Sequence, residues 1–528
     1  MDRREFLRWA GRAALGTAGL SALAAACTSG GRNVAPPTSP TAAGSPFDPG
    51  TATQAAWTAF GQSLDGQLFR PGDAGYPAAH QLFDPRFDRI HPAGVVGAAS
   101  EADVQRSVNF ARQHVMGFAA RSGGHSYAGY STSHGLVCDV GRLSHVSVNP
   151  TARTAIVGAG ARTIDVYAAA AAKSMAFAAG SCATVGIAGV TLGGGQGVMG
   201  RKLGLTCDNL VSLRIVTADG AVLTASPNQH QDLFWACRGG GGGNFGVVTR
   251  FTFRVHPLTH LARFFYAWPW SQAAHVVAGW QGWAPTAPQE LWSNCHLRYA
   301  AGSPAISVSG VYVGSQSALT TQLAKLKTAV GSAPSTDDVS TETYMDLMLL
   351  EAGCSGMTVD ECHLPTQNPD GKLSRESQVA RSDFFNAKLP PAGIQALLHS
   401  IESRGDNPQL AGGGGGVGLD AFGGAINSVA ADATAFVHRN SKFLAQYTAH
   451  WADGASQQTI DANVAWLDAF HAAMKASASG FAYQNYIDPT LKDWEHAYYG
   501  TNFPRLKKVK GKFDPKNFFR FPQSIPVP

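Results

Sequence analysis

Apolar and polar positions recur along this chain with two distinct periods, and together they predict an α+β protein. Val95-Val96 is a short apolar strand signal, and Ser100-Glu-Ala-Asp103 is expected to form a capping-box-like helix start. Val104, Val108 and Ala111 then fall on one helical face. Strand-length apolar segments follow at Leu136 to Val140, Val146 to Val148 and Ala155 to Val157, before an Ala-rich helix predicted from Thr163 to Ser174. Leu210 to Thr217 alternates, Asp219-Gly220 supplies a tight turn, and Val222-Leu223-Thr224 returns as the second arm of a hairpin. Val247 to Val255 alternates again through Phe251 and Phe253. Beyond His256-Pro257 the turn signals thin out. The stretch 258–478 reads as a second domain with several helix-length segments, and its isolated Gly412 to Gly416 run is predicted to be a surface or pocket-lining loop.

The N-terminus follows a different rule. Arg3-Arg4-Glu5-Phe6-Leu7 precedes an Ala- and Gly-rich apolar run from Ala13 to Ala26, which is too short and too weakly hydrophobic to span a bilayer. Residues 1–26 are therefore expected to be a twin-arginine export signal. Leu23-Ala-Ala-Ala26-Cys27 is similar to a bacterial lipobox with Ala24 where Leu is usual, so two readings stand side by side: a lipid anchor on Cys27, or cleavage after Ala26 to free a secreted protein. Both put the protein outside the cytoplasm, at the cell surface or beyond it. Residues 27–54 are rich in Pro, Ser, Thr and Gly with almost no large apolar side chains, and read as a tether. Twin-arginine export moves folded proteins, the route required when a cofactor is installed first.

Composition narrows the class. In 528 residues, 45% hydrophobic and 15% charged positions allow a large core and exclude a disordered chain. The formal charge of +5 falls to +3 without the first 26 residues, which is no nucleic-acid footprint. Eight Cys with no Cys-x-x-Cys pair argue against a structural zinc site, and no metal is expected. Cys354 and Cys362 are spaced for a local disulfide in an oxidising compartment, while Cys138, Cys207, Cys237 and Cys295 read as buried thiols. Arg505, Lys507, Lys508, Lys510 and Lys512 are expected on a solvated helix face. No coiled-coil repeat bears on oligomeric state.

Two glycine-rich segments carry the chemistry. In Arg121-Ser122-Gly123-Gly124-His125-Ser126 the paired Gly let backbone N–H groups approach an anion such as a pyrophosphate. The same stretch nearly forms a serine-hydrolase nucleophile elbow, but Ala128 stands where the final Gly is needed. The run from Gly180 through Cys182, Val185, Gly186, Gly189, Gly193, Gly194 and Gly195 to Gly197 interleaves Gly with small apolar residues and one thiol, unlike a flexible linker. Such a backbone can lie against a flat or phosphorylated ligand, or form a close-packed turn region. Gly158-Ala-Gly160 lacks the third Gly of a dinucleotide fingerprint, and no phosphate-binding Gly-x-x-x-x-Gly-Lys-Ser/Thr occurs.

Taken with Trp235-Ala-Cys-Arg-Gly-Gly, Gly243-Asn-Phe-Gly246-Val-Val248 and Tyr483-Gln-Asn485-Tyr486-Ile-Asp488, these segments resemble the berberine bridge enzyme-like flavoprotein oxidases in order and spacing over nearly the whole chain after the tether. The resemblance implies a two-part FAD-binding domain of the vanillyl-alcohol-oxidase type, formed by residues 80–257 and completed by 479–528, with an inserted α+β substrate-binding domain, 258–478. It implies FAD contacts from residues 121–126, the glycine-rich run, Gly246, Val248, Tyr483 and Asn485. His125 matches the site of attachment to the flavin 8α-methyl group and Cys182 that of a second bond at flavin C6; imidazole and thiolate are both nucleophiles suited to that task. A buried small hydrophobe is the other reading of Cys182. Tyr483 matches the family's catalytic base, which would remove a hydroxyl proton as a hydride leaves for the flavin, with Asn485 orienting the site. Tyr486 is given no role. A small side chain at Val185 implies access for O2 and release of H2O2. The expected substrate is an alcohol or sugar; a tailoring flavoenzyme of secondary metabolism and a surface lipoprotein that binds a ligand without turnover are the alternatives. Trp268, Trp270, Trp280 and Trp292 are candidates for sugar stacking and for the core alike.

Overall fold

The computed structural model describes residues 48–528, so the expected export signal, Cys27 and the expected tether up to residue 47 lie outside it. The helix predicted after Ser100 is Glu101–Gln113, with the Ser100 hydroxyl accepting from the Asp103 N–H. Asp103 does not close a capping box; its buried carboxylate accepts from the N–H groups of Asp65, Gly66 and Ala99 and ties the preceding segment to this helix. Val104, Val108 and Ala111 are fully buried, as their spacing requires. The helix packs beside a four-stranded sheet in the order Gln67–Phe69, Gly94–Gly97, Leu136–Asp139, Phe118–Arg121, whose last three strands run parallel. A five-stranded antiparallel sheet completes this unit, in the order Val146–Asn149, Thr154–Gly158, Val247–Arg254, Leu210–Val216, Val222–Ala225. The predicted hairpin is its outer pair, closed by Gly220 at φ +83°. The folded region begins earlier than residue 80. Asp48 and Thr51 already hydrogen-bond the backbone at Gly117 and His114, and Thr53 caps the helix Gln54–Ser63.

The second unit departs most from the sequence pattern. It is built on a seven-stranded antiparallel sheet in the order Thr336–Glu342, Leu261–Trp268, Ser303–Val313, Leu291–Ala300, Gly414–Ala421, Phe443–Trp451, Ser377–Phe385. Alternate strand residues such as Phe264, Leu297, Val417, Leu419, Ala445 and Tyr447 join one core with the helices Ala273–Trp283, Gln316–Val330, Pro391–Glu402 and Gln457–Met474. The glycine run expected to be a loop is corrected: Gly414, Gly415 and Gly416 begin an interior strand. A Cβ on Gly415 would meet the Trp466 ring at 2.5 Å, and one on Gly416 would meet the Leu297 carbonyl at 2.2 Å, so glycine is what lets helix and strand close up.

Smaller expectations resolve in the same way. Cys354 and Cys362 form a disulfide, and Cys138, Cys207, Cys237 and Cys295 are buried. The basic run does lie on a helix, Phe503–Phe513, but Lys510 is not solvated. Its ammonium is fully buried, donating to the Asp514 carboxylate and to the carbonyls of Asn244 and Phe519. Trp268, Trp280 and Trp292 are core residues, and Trp270 donates to Glu402.

Candidate active site and cofactor cavity

Between the two units lies a cavity of about 880 Å³. One wall is the loop after strand Phe118–Arg121. A Cβ on Gly123 would meet the Gly186 N at 2.2 Å, so the loop and the start of helix Ile187–Leu192 touch backbone to backbone. Arg121, expected to contact the cofactor, spends its guanidinium inward on Asp139 and on the carbonyls of Ala79, Gln81 and His80. It positions the loop. Arg162 likewise donates to the Ser122 and Gly160 carbonyls.

His125 lies on this wall with its ring stacked on Phe83 at 4.0 Å and its Nε2 2.9 Å from the Thr184 hydroxyl. Burial and the charge of Arg162 push its pKa down to about 3, so the imidazole is neutral near neutrality. Cys182 also faces the cavity, and it is exposed where the other four thiols outside the disulfide among the described residues are buried. That observation removes the small-hydrophobe reading.

The glycine-rich run divides in two. Gly180, Val185, Gly186 and Gly189 line the cavity, as do Gly246 and Val248. Gly193, Gly194, Gly195 and Gly197 do not; where their Cβ atoms would sit are Asn485, Phe436, Thr206 and the Ala179 carbonyl. These four glycines have a packing role. They admit the C-terminal motif.

That motif separates two tyrosines. Tyr483 is 3% exposed, and its Oη accepts from the N–H groups of Gly195 at 2.8 Å and Gln196 at 3.3 Å and from Asn485 Nδ2 at 3.0 Å. Burial outweighs these donors and pushes its pKa up to about 12. Asn485 also donates to the Val190 carbonyl, so both residues anticipated as catalytic bind the glycine turn. Tyr486, half-buried on the cavity wall, has Tyr127 and Tyr483 as ring neighbours. Burial raises its pKa well above the usual value, followed by the charge of Asp420 and the nearby Tyr127, Tyr483 and Cys182. Asp420, half-buried by accessible surface, is pushed up to about 7 by burial and by the charge of Glu351.

Sequence reasoning missed Tyr127, Thr184, Asp420, Gln446 and Gln484. Asp420 and Gln446 alternate with Leu419, Ala421, Ala445 and Tyr447, so they occupy the sheet face opposite the helices. A polar residue inside a strand of apolar alternates was the available signal. Gln446 Nε2 donates to the Tyr127 hydroxyl at 2.9 Å.

The wall fits FAD by its own chemistry. A glycine-rich backbone approaches an anion, two nucleophiles of the types that add to an isoalloxazine face the space, and the buried Gln484 Oε1 has no hydrogen-bond partner among the described residues. An oxidised isoalloxazine carries one ring N–H that such an acceptor suits.

Comparison with known proteins points the same way. Residues 92–226 match the model of an FAD binding domain, and residues 482–526 match that described as berberine and berberine like. The uncharacterized FAD-linked oxidoreductase YgaK of Bacillus subtilis is 32% identical over 468 residues, 88% of this chain and 97% of its own. Among solved structures, Physcomitrella patens BBE-like 1 has a TM-score of 0.81 at 30% identity, covering 89% of this chain and 99% of that one. A chitooligosaccharide oxidase has a TM-score of 0.79 at 25% identity with the same coverage.

Proposed function

Because the chain belongs to the berberine bridge enzyme-like family of FAD-linked oxidoreductases, we propose that it is an exported oxidase that converts a hydroxyl-bearing substrate to the carbonyl, lactone or acid, with FAD held covalently by His125 and Cys182 and O2 as electron acceptor. The observation that carries this reading is the placement of a neutral imidazole and an exposed thiol on the same cavity wall. FAD, when bound, supplies the hydride acceptor. Residues 122–126, Gly186, Val248 and the Gln484 carboxamide would hold it.

Tyr486 takes the role first given to Tyr483. Both tyrosines line the cavity, but the Tyr483 oxygen is taken up by three N–H donors, whereas Tyr486 has a carboxylate nearby. Tyr486 starts as a hydroxyl, so it acts by relay: its oxygen receives the substrate proton as its own proton passes toward Asp420. A carboxyl group with a pKa near 7 is matched to that task near neutrality. Gln378, Gln446, Thr448 and Glu351 give this end of the cavity a hydrogen-bonding wall suited to a polyhydroxylated substrate, and a solved neighbour is a chitooligosaccharide oxidase. Val185 on the wall leaves room for O2.

The test uses exported protein, denatured, with flavin fluorescence and intact mass recorded for wild type, His125→Ala and Cys182→Ser. Covalent FAD in either single variant and none in the double is the expected result, with H2O2 released from an alcohol or oligosaccharide panel. Wild type whose flavin all dissociates on denaturation would sink the covalent assignment.

A further inference from the structure

Thr184 has no place in the chemistry so far, yet it holds one side of the His125 ring. Its hydroxyl lies 2.9 Å from His125 Nε2, while Phe83 stacks on the ring face at 4.0 Å and an interplanar angle of 20°. Thr184 is itself fixed. Gln367 Nε2 donates to its carbonyl at 3.2 Å, and Thr163, at the start of helix Thr163–Ala171, clamps both neighbours: its N–H donates to the Val185 carbonyl and its hydroxyl to that of Ala183. Thr184 is 3% exposed and two residues from Cys182.

We propose that Thr184 is a positioning residue for flavin attachment, whose hydroxyl holds Nε2, leaves Nδ1 to form the bond, and follows the ring's change of proton state. This rests on the covalent reading of His125. A neutral imidazole has one N–H and one lone pair, and a hydroxyl both donates and accepts. While Thr184 accepts from Nε2–H, the lone pair is on Nδ1. Attachment makes a bond between Nδ1 and the flavin 8α carbon and breaks one 8α C–H bond and the Nε2–H bond; the electron pair left behind reduces the isoalloxazine, and O2 removes it as H2O2. The substituted ring has no N–H, and its Nε2 lone pair now accepts from the Thr184 hydroxyl. One group therefore satisfies Nε2 before and after the step without moving.

The experiment is made in the Cys182→Ser background, where His125 is the sole attachment point. Covalent and released FAD are measured in the purified holoprotein, together with the rate at which bound FAD becomes covalent, for that parent and for added Thr184→Val and Thr184→Ser. Thr184→Val keeps the shape and is expected to bind FAD but attach it about tenfold more slowly, the weight of one hydrogen bond; Thr184→Ser should restore the rate. Peptide mapping of wild type should locate the link at Nδ1. A Thr184→Val rate equal to that of the parent overturns the assignment to Thr184, and so does a wild-type link through Nε2, which needs no variant to fold. No flavin on the His125 peptide of wild type overturns the covalent reading instead, so the two failures are distinct.

Discussion

Replacing Asp420 by Asn tests the proton relay at its most specific point. Asp420 lies in strand Gly414–Ala421 on the same sheet face as Gln446, opposite Asn294 on the neighbouring strand. Burial and the charge of Glu351 put its pKa near 7, so its carboxylate form, the one able to take a proton from Tyr486, accumulates as pH rises through neutrality. The rate of flavin reduction in wild type should rise along an acid limb with a midpoint near pH 7. Asn cannot accept the proton, and loss of a positioned base costs about 10²–10⁴-fold in rate, roughly 2.7–5.5 kcal/mol in barrier. The assay is anaerobic stopped-flow reduction by a saturating substrate on both sides of neutrality. Asp420→Asn should be slow with no limb near 7, and Glu351→Gln, which removes the repelling charge, should shift the limb to lower pH. Stability gives an independent sign. A carboxyl whose folded pKa is raised contributes stability that is full below the ordinary carboxylate pKa and is lost as pH rises through about 7. Asp420→Asn should thus melt higher than wild type above neutrality and lose that advantage in acid. An unchanged limb in Asp420→Asn would refute the relay.

Tyr483→Phe removes the acceptor shared by Gly195, Gln196 and Asn485, so about 1–3 kcal/mol of stability should be lost in a thermal melt, while the acid limb of the reduction rate stays. Lys510→Met strands a buried Asp514 carboxylate and two carbonyls and should cost about 3–5 kcal/mol, read in denaturant melts followed by flavin release. Gly186→Ala would put its Cβ 2.0 Å from Ser122 Oγ and 2.2 Å from the Gly123 N, and the purified protein should carry little or no FAD by absorbance.

The first unit was largely legible because its strands are short apolar runs that end at turn residues. The Ser100 cap and the Asp219-Gly220 hairpin stand where local chemistry puts them. The second unit was not, because what makes its strands is tertiary. Gly414 to Gly416 has no strand propensity of its own and is extended because Trp466, His450 and Leu297 occupy the space a side chain would take. The same limit applies at the site. Tyr483, which leads into the short turn Gln484–Tyr486, and Tyr486 stand three residues apart on the cavity wall, and which of them keeps a phenolic oxygen not taken up by N–H donors is decided by groups nearly three hundred residues earlier in the chain. His125 and Cys182 stood out through their flanking glycines, whereas Thr184 carries no local mark and Asp420 only its polarity among apolar strand neighbours.

The order in which the cavity forms has a consequence for how the cofactor enters. Its wall includes Tyr483 to Ile487 and Phe519 to Pro522, held in place by the buried Lys510, by Asn244, which accepts from the Ile525 N–H, and by Gln523, which donates to the Asp488 carbonyl. These contacts join residues 510–525 to segments well before them in the chain, so the space for FAD closes only once this segment has folded back. FAD is then expected to load after this segment has docked, and passage through a pore as an unfolded thread would take the site apart again. This order supports the proposed folded-state export and predicts that a chain ending at Asp514 has an open cavity. Such a protein loses the Phe519 carbonyl that accepts from Lys510 as well as the wall from Phe519 to Pro522. It should be recovered without bound flavin at a FAD concentration that saturates the full chain, as read by absorbance after gel filtration. A shortened chain that loads FAD as the full one does would refute the argument, because the cavity would then be complete without the segment that closes it.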